Sequence, residues 1–253
     1  MSTIIVTVGN EILTGHIQDT NSRWLAQRLF FLGEELERII IIGDDKDTLS
    51  GLIRASLGLV DYLFICGGLG ATPDDITMSS VGDALGKKCV VSDEALSHME
   101  YLADHLLERG FIKQKMEVND AIRKMATIID GSTVLENKAG FCPGVTLTKD
   151  DTRIFVLPGV PQELKTIFTD QIENRFIQPN QNRYMDEIVL SEVEARIAHL
   201  IAKLNEDFPG VSVGSYPTYG AMTLVIRAVG EDEEQVKKVL QEIRDYSESL
   251  PEM

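Results

Sequence analysis

The chain has 253 residues, of which 43% are apolar and 25% charged, a composition typical of globular proteins. Its formal net charge of −16 argues against broad electrostatic binding to nucleic acid or to anionic membranes. No apolar run approaches the roughly 20 residues that span a bilayer, and no basic leader opens the sequence, so we expect a cytoplasmic protein. The three cysteines, Cys66, Cys89 and Cys142, form neither a metal-knuckle pattern nor a disulfide framework.

Predicted strands and helices alternate along the first two thirds of the chain. The four isoleucines at 39–42 indicate a strand that is buried on both faces. Such alternation is typical of parallel strands joined by right-handed helical crossovers. Strands are predicted at 3–8, 37–42, 62–65 and 133–135, and helices at 21–32, 48–59, 74–85, 92–109 and 114–126.

A hairpin follows, with strands at 145–148 and 153–157, and Pro161 opens a further helix. The polar segment 178–182 is predicted to be a linker between two domains, residues 1–177 and 183–253.

The second domain has the predicted order β-α-β-β-α. Ser191 and Glu194 form a capping-box pattern at the start of its first helix. Its remaining elements are strands at 184–190, 211–216 and 222–229 and a final helix at 231–250.

The segment from Cys66 to Thr77 is the most informative part of the sequence. Three glycines there join a buried strand to a helix, and such turns direct backbone N–H groups into a concave nest for phosphate oxygens. Asp74 and Asp75 would repel a phosphate, so the pattern favours a divalent cation between them. A tight turn with two acids at the positive end of a helix dipole is the alternative interpretation.

Other polar segments follow neighbouring strands, where ligands bind in open α/β sheets. They lie at 9–15, 19–21, 43–45, 136–140 and 157–161. Glu11 is a candidate for orienting a water molecule. Asn21 and Asp44 have an alternative role as helix caps, and Lys138 as an exposed side chain. The sequence shows no recognisable Ser-His-Asp or Cys-His catalytic arrangement.

Several motifs occur in an order that resembles the N-terminal region of the CinA family, which is related to MoaB/Mog-type molybdopterin-binding domains. They are GNEILTG, IQDTN, GDD, GGLGATPDD, VLENKAG, CPG and LPGVPQEL. The resemblance covers about residues 3–170, and Gly214–Pro217 resembles part of that family's second domain. The chain departs at Asn10, where the family usually has aspartate, and at Ala71, where it has proline. We expect a stand-alone form without the family's deamidase domain.

The resemblance implies a three-layer α/β/α fold with a mostly parallel sheet, followed by a small α+β domain. It implies metal-dependent hydrolysis of a nucleotide diphosphate bond, in ADP-ribose or FAD, with Mg²⁺ or a similar cation. A molybdopterin- or nucleotide-binding module without catalysis, and a molybdopterin adenylyltransferase, are the alternatives. We expect a small nucleotide or pterin as ligand, a homo-oligomer, and neither nucleic acid nor membrane as partner.

We therefore predict a set of site residues around the glycine-rich segment. Asp74, Asp75 and Glu11 are the predicted catalytic residues, and Asp74 and Asp75 the predicted metal ligands. The predicted ligand-binding residues are Gly67, Gly68, Leu69, Gly70, Ala71, Thr72, Asn21, Asp44, Asn137, Lys138, Pro158 and Gly159.

Overall fold

The computed structural model describes residues 2–177, 183–218, 220 and 223–251. The chain divides into two compact units, Met1–Phe30 with Glu34–Gln178 and Phe31–Gly33 with Pro179–Met253. The predicted linker at 178–182 lies outside the described residues. Met222, at the start of a predicted strand, also lies outside them. No helix in the described ranges has the length and apolarity needed to cross a membrane.

The first unit alternates strands and helices. In chain order it contains β1 (Ser2–Val8), α1 (Asn10–Leu13), α2 (Asn21–Phe31), β2 (Glu35–Ile42), α3 (Lys46–Ser56), β3 (Tyr62–Cys66), α4 (Thr77–Leu85), β4 (Cys89–Val91), α5 (Asp93–Glu108), α6 (Asp120–Met125), β5 (Thr127–Ile129), β6 (Thr133–Leu135), β7 (Gly144–Lys149), β8 (Thr152–Leu157) and α7 (Pro161–Ile167). A π-helical segment (Phe168–Ile172) and α8 (Glu173–Phe176) continue α7.

Six strands form the central sheet in the order β2-β1-β3-β8-β7-β6. The first four are parallel, and β7 and β6 join by antiparallel pairing, which confirms the mostly parallel sheet. Thr7 pairs with Cys66 and Cys66 with Leu157, so β1, β3 and β8 end side by side. The loops after these three strands therefore meet at one edge of the sheet.

Helices cover both faces of this sheet, as predicted for a three-layer fold. On one face α3 and α4 contribute Ile53 and Val81 to a core with strand residues such as Ile65. The other face is aromatic: the Phe64 and Phe155 rings stack with centroids 4.8 Å apart, and Phe168 packs against Phe64 at 5.9 Å. Burial of such large rings supplies a major share of core stability.

Strand β2 is not buried on both faces, so that prediction is wrong. It is the outermost strand of the sheet, and Ile39 and Ile41 are 45% and 38% exposed. Only Ile42 of this strand is buried. A run of isoleucines is typical of a central parallel strand, but position in the sheet is decided by topology rather than by composition.

Several element boundaries also differ from the predictions. The segment that begins at Asn10 contains the short helix α1 rather than only loop, and β4 and β5 form a two-stranded sheet that was not predicted. Helix α6 begins at Asp120 rather than near 114, because the Asn119 side chain accepts the Ile122 N–H at 3.0 Å and caps it there. Helix α4 begins at Thr77, which leaves Asp74 and Asp75 in the preceding loop.

The second unit has the predicted order β-α-β-β-α. It consists of β9 (Tyr184–Leu190), α9 (Glu194–Asp207), β10 (Val211–Thr218), β11 (Thr223–Gly230) and α10 (Glu233–Ser249). The antiparallel sheet has the order β10-β11-β9.

Both helices of the second unit pack on one face of its sheet, where Ile197 and Val239 meet Ile226. The predicted capping box is wrong. Helix α9 starts after Val193 without a side-chain cap, and the Glu194 carboxylate instead accepts a hydrogen bond from the Ser215 hydroxyl. The Glu194 carboxylate therefore bonds to Ser215 of β10 and does not form the cap at the start of α9 that the sequence pattern predicted.

The exposure of β2 predicts that substitutions at Ile39 and at Ile5 differ strongly in their effect on stability. Ile5 pairs with Ile39 from the neighbouring strand β1 and is fully buried. Ile5→Thr should destabilise the first unit by about 2–4 kcal/mol, because it removes buried carbon and buries a hydroxyl. Ile39→Thr should change stability by no more than about 0.5 kcal/mol. Urea unfolding followed by fluorescence of Trp24, the one tryptophan, measures both. Equal losses would contradict an exposed outer strand.

Candidate functional site

A cavity of about 310 Å³, which we call the large cavity, lies in the first unit where β1, β3 and β8 end. The loops that follow these three strands supply most of its walls, as the parallel arrangement predicts. Its lining includes Thr7, Glu11, Asp19, Asn21, Gly67, Gly68, Gly159 and Pro161.

The glycine turn, which we define as Gly67–Gly70, depends on left-handed backbone at its first two residues. The φ angles of Gly67 and Gly68 are 98° and 66°. A β-carbon on Gly67 would lie 2.5 Å from the Val8 carbonyl oxygen, and one on Gly68 would lie 2.4 Å from Thr77 Oγ1. Both distances are far inside van der Waals contact, so only glycine fits at either position.

Thr77 holds the glycine turn from the start of α4. Its hydroxyl donates to the Gly67 carbonyl at 2.8 Å, and its backbone N–H donates to the Gly68 carbonyl at 3.1 Å. With these carbonyls engaged, the N–H groups of residues 68–71 have no hydrogen-bond partner among the described residues. The turn thus presents a row of unpaired donors, as an anion-binding nest does.

Asp75 closes the loop after the glycine turn. Its Oδ2 accepts hydrogen bonds from the Thr72 N–H at 2.8 Å and from the Thr72 hydroxyl at 2.6 Å. Asp74 is exposed, and the pKa of its carboxyl lies below the ordinary value, chiefly because the polar Thr72 side chain is near and also because Lys124 is near. Neither carboxylate lines the large cavity. Asp75 lines a smaller cavity of about 140 Å³ on which Lys124 also borders.

Glu11 does lie in the large cavity. It is in the first turn of α1, and its carboxylate folds over Gly9, where a β-carbon would meet Oε1 at 2.5 Å. Asp44 is outside the cavity lining, because its carboxylate accepts the Asn10 N–H at 3.1 Å. The cap of α3 is Asp45, whose Oδ1 accepts the Thr48 N–H at 2.7 Å. This contact with Thr48 holds the pKa of Asp45 below its ordinary value.

Asp19 and Asn21 form another part of the wall of the large cavity. The Asp19 carboxylate accepts the Ser22 N–H at 2.9 Å, so Asp19 rather than Asn21 caps α2. Asn21 Nδ2 donates to the Gly159 carbonyl at 2.7 Å and ties this wall to the loop after β8. Asn21 is nearly fully buried, and its Oδ1 has no hydrogen-bond partner in the part of the chain that the structure describes. A buried acceptor without a partner is costly unless a ligand satisfies it.

Asn137 is fully buried, and its side chain bonds within the protein. Its Nδ2 donates to the Cys142 carbonyl and to Glu163 Oε2, both at 2.8 Å, and its Oδ1 accepts the Ala139 N–H at 3.1 Å. Burial raises the pKa of Glu163, and the hydrogen bond from Asn137 opposes part of that rise. Lys138 forms an exposed ion pair with Asp170 at 3.2 Å.

The structure thus brings together only part of the predicted set. Glu11, Asn21, Gly67, Gly68 and Gly159 line the large cavity, and Leu69 and Gly70 continue the turn toward the smaller one. The predicted residues that line neither cavity are Ala71, Thr72, Asp74, Asp44, Asn137, Lys138 and Pro158.

The predicted set of site residues leaves out three polar residues at or beside the site, namely Lys124, Glu163 and Asp19, although segment 19–21 was placed at this edge of the sheet. Asp19 and Glu163 stand inside the quoted motifs IQDTN and LPGVPQEL, so their positions were a usable signal. Lys124 has no local signal, because only the fold brings α6 to the glycine loop. Within the described residues, no three His, Cys, Asp or Glu side chains group closely enough to hold a metal ion.

Comparison with known proteins supports the resemblance. The sequence model of the probable molybdopterin binding domain matches residues 4–178, and that of the FAD synthase middle domain matches residues 182–250. A protein of Pyrococcus abyssi is 34% identical over 258 residues, with 100% of this chain and 99% of that protein covered. A protein of Natranaerobius thermophilus described as competence-damage inducible is 36% identical over 174 residues, which are 69% of this chain and 41% of that protein.

Among solved structures, that of the protein CinA from Thermoplasma acidophilum matches with a TM-score of 0.59 and 27% identity. The match covers 68% of this chain and 96% of that chain. These findings confirm the MoaB/Mog-like α/β fold and the CinA-like character expected from the motifs.

The close contacts at Gly67 predict that Gly67→Ala destabilises the first unit by about 3 kcal/mol or more, from left-handed strain and a clash with Val8. Gly86→Ala is the matched control, because Gly86 has a φ of 65° but would place its β-carbon in open space. It should cost about 1 kcal/mol. Denaturant unfolding followed by Trp24 fluorescence compares the two. Equal costs would contradict the close approach of Gly67 to β1.

Proposed function

We propose that this chain, which belongs to the family of the probable molybdopterin binding domain, binds the phosphate of a nucleotide or pterin at the glycine turn. The observation that carries the proposal is the row of unpaired N–H groups at residues 68–71, beside a cavity of about 310 Å³. Such groups suit phosphate oxygens, because each donates a hydrogen bond without a competing internal acceptor.

The charges around the large cavity favour a divalent cation as cofactor. Glu11 and Asp19 line it, and its described lining contains no lysine or arginine. A phosphate beside two carboxylates would be repelled unless a positive charge lay between them. The buried Oδ1 of Asn21 is a further oxygen donor without a partner.

Oxygen donors of this kind suit Mg²⁺, which takes one or two carboxylates and completes its shell with substrate phosphates and waters. Asp19 and Asn21 would hold the cation, and Glu11 lines the same cavity beside them. When bound, it would neutralise charge on the phosphate and increase the acidity of a coordinated water. The same donor set fits a pterin phosphate such as that of molybdopterin.

We further propose that the bound ligand is hydrolysed at a nucleotide diphosphate bond. The oxygen of a water molecule forms a bond to one phosphorus atom, and the bond from that phosphorus to the bridging oxygen breaks. Glu11 accepts the proton that the water loses, and the bridging oxygen leaves on the second phosphate. From ADP-ribose the products are AMP and ribose 5-phosphate. The N–H groups of the glycine turn hold the phosphate while charge develops on its oxygens.

Asp74 and Asp75, which lie outside the large cavity at the mouth of the turn, are the alternative ligands of this cation. Asp75 Oδ2 already accepts two hydrogen bonds from Thr72, so a capping function competes with that proposal. The two functions make different demands on charge: a hydrogen-bond acceptor suffices for the cap, whereas a cation site needs the carboxylate.

The proposed base predicts that Glu11→Gln lowers turnover of ADP-ribose by about 10²–10⁴-fold with an unchanged melting temperature, since it removes one proton acceptor and little packing. Release of AMP is measured with Mg²⁺, Mn²⁺ or Co²⁺. Glu37→Gln, an exposed residue of β2, is the matched control and should retain full turnover. If the wild type turns over neither ADP-ribose nor FAD with any of these cations, hydrolysis is contradicted for these substrates. Tight binding without product would then indicate a binding module.

The role of Asp75 is tested by comparison with Asp45, whose carboxylate caps helix α3. In Asp75→Asn and in Asp45→Asn the amide oxygen still accepts hydrogen bonds, so each should cost no more than about 1 kcal/mol. With ADP-ribose present, Mg²⁺ should raise the melting temperature of Asp45→Asn as in the wild type. On the alternative in which Asp74 and Asp75 hold the cation, Mg²⁺ should not raise the melting temperature of Asp75→Asn or Asp74→Asn. Full Mg²⁺-dependent stabilisation in both Asp75→Asn and Asp74→Asn would show that these aspartates have only a structural role.

A further inference from the structure

The glycine turn borders two cavities rather than one. Gly68 lines the large cavity and also the smaller one of about 140 Å³. The smaller cavity is walled by Leu69, Gly70 and Asp75 from the loop, by Ser79 from the first turn of α4, and by Lys124 from α6. At about 30 Å³ for each liquid water, this space holds a phosphate group and accompanying water.

Lys124 is the one lysine or arginine among the described lining residues of the two cavities. Three carboxylates line the two cavities, those of Glu11 and Asp19 in the large one and that of Asp75 in the smaller one. The Lys124 Nζ donates a hydrogen bond to the Thr72 carbonyl, which fixes the ammonium beside the glycine loop. An ammonium group carries three hydrogens, and Thr72 takes only one of them.

The start of α4 adds to the positive potential of the smaller cavity. Met78 and Ser79, which follow the first residue of this nine-residue helix, both line it. The first N–H groups of a helix have no partner within the helix, and the dipole there favours an anion. Lysine, helix terminus and glycine backbone therefore converge on one small space.

We propose that Lys124 and the first turn of α4 form a second anion subsite, which holds the other phosphate of a diphosphate ligand. This inference rests on the proposed function and specifies its substrate class. The glycine turn holds one phosphate through neutral N–H groups, and a second phosphate adds negative charge that only a cationic group offsets in these acidic surroundings. The site therefore selects nucleoside diphosphate esters over nucleoside monophosphates.

Calorimetric titration of the full chain with ADP-ribose, AMP and inorganic pyrophosphate, each with Mg²⁺, tests this subsite. Lys124→Met should weaken ADP-ribose and pyrophosphate binding about tenfold, or about 1.4 kcal/mol, and AMP binding less than twofold. Lys124→Arg should restore most of the loss, and Lys124→Met should flatten the dependence of ADP-ribose affinity on KCl concentration. Lys87→Met is the matched control, because Lys87 also donates to a backbone carbonyl, that of Asp130 at 3.0 Å, but lies outside both cavities.

The outcomes separate this inference from the proposed function. Unchanged ADP-ribose affinity in Lys124→Met, or equal losses for ADP-ribose and AMP, would overturn the second subsite while nucleotide binding stands. If the wild type binds pyrophosphate in a Lys124-dependent way but binds no nucleotide, the subsite holds and the proposed function fails. If it binds neither, both are overturned.

A measurement on the wild type covers the case in which Lys124→Met does not fold. Lysine acetylation is followed by mass spectrometry with and without pyrophosphate and Mg²⁺. Pyrophosphate should slow acetylation of Lys124 several-fold and leave that of Lys87 unchanged. Equal labelling of Lys124 with and without pyrophosphate would overturn the subsite.

Discussion

The close approach of the Gly67 backbone to the end of β1 is the constraint on which the site depends. Because Gly67 has no side chain, its α-carbon region lies against the Val8 carbonyl, and Gly159 packs against it from the other side. This contact places the chain after β3 between the chains after β1 and β8. Every donor and acceptor of the large cavity is positioned relative to this one turn.

Two hydrogen bonds from Thr77 hold the backbone of the glycine turn in place after that close approach. They satisfy the carbonyls of Gly67 and Gly68, which would otherwise face the same space as the N–H groups. A turn with its carbonyls engaged and its N–H groups unpaired has a net positive face, although it carries no charged side chain. In the proposed function, this face is what allows a chain with a formal charge of −16 to hold a phosphate.

The sequence predicted the fold well because hydrophobic period and turn residues are local signals. The strands, the mostly parallel sheet and the small second unit follow from such patterns. The sequence could not show that β2 is at the sheet edge, since the isoleucines at 39–42 carry the same pattern wherever the strand lies. It also could not show Lys124, which reaches the glycine loop only because α6 folds back across 52 residues.

Some motif residues have a polar atom available to a ligand, whereas others bond only within the protein. The residue type alone does not distinguish the two. Asn137 and Asn21 are both buried asparagines in motifs, yet Asn137 uses both ends of its side chain within the protein, whereas Asn21 leaves Oδ1 unpaired. An amide whose bonds are complete has nothing left for a ligand, so Asn137 shapes the loop at 137–142 instead.

Glu163 shows that this scaffold is maintained against an electrostatic cost. Its carboxylate accepts a hydrogen bond from Asn137, but burial raises its pKa above the unfolded value. The folded state therefore binds the proton more tightly, and the carboxyl contributes less stability as the pH rises from its ordinary pKa through the raised one. Above that range the charged form persists in a partly buried position, where the bond from Asn137 offsets part of the desolvation. Glu163 contributes in this position by ordering the loop at 137–142 through Asn137, since packing alone would favour an uncharged side chain there.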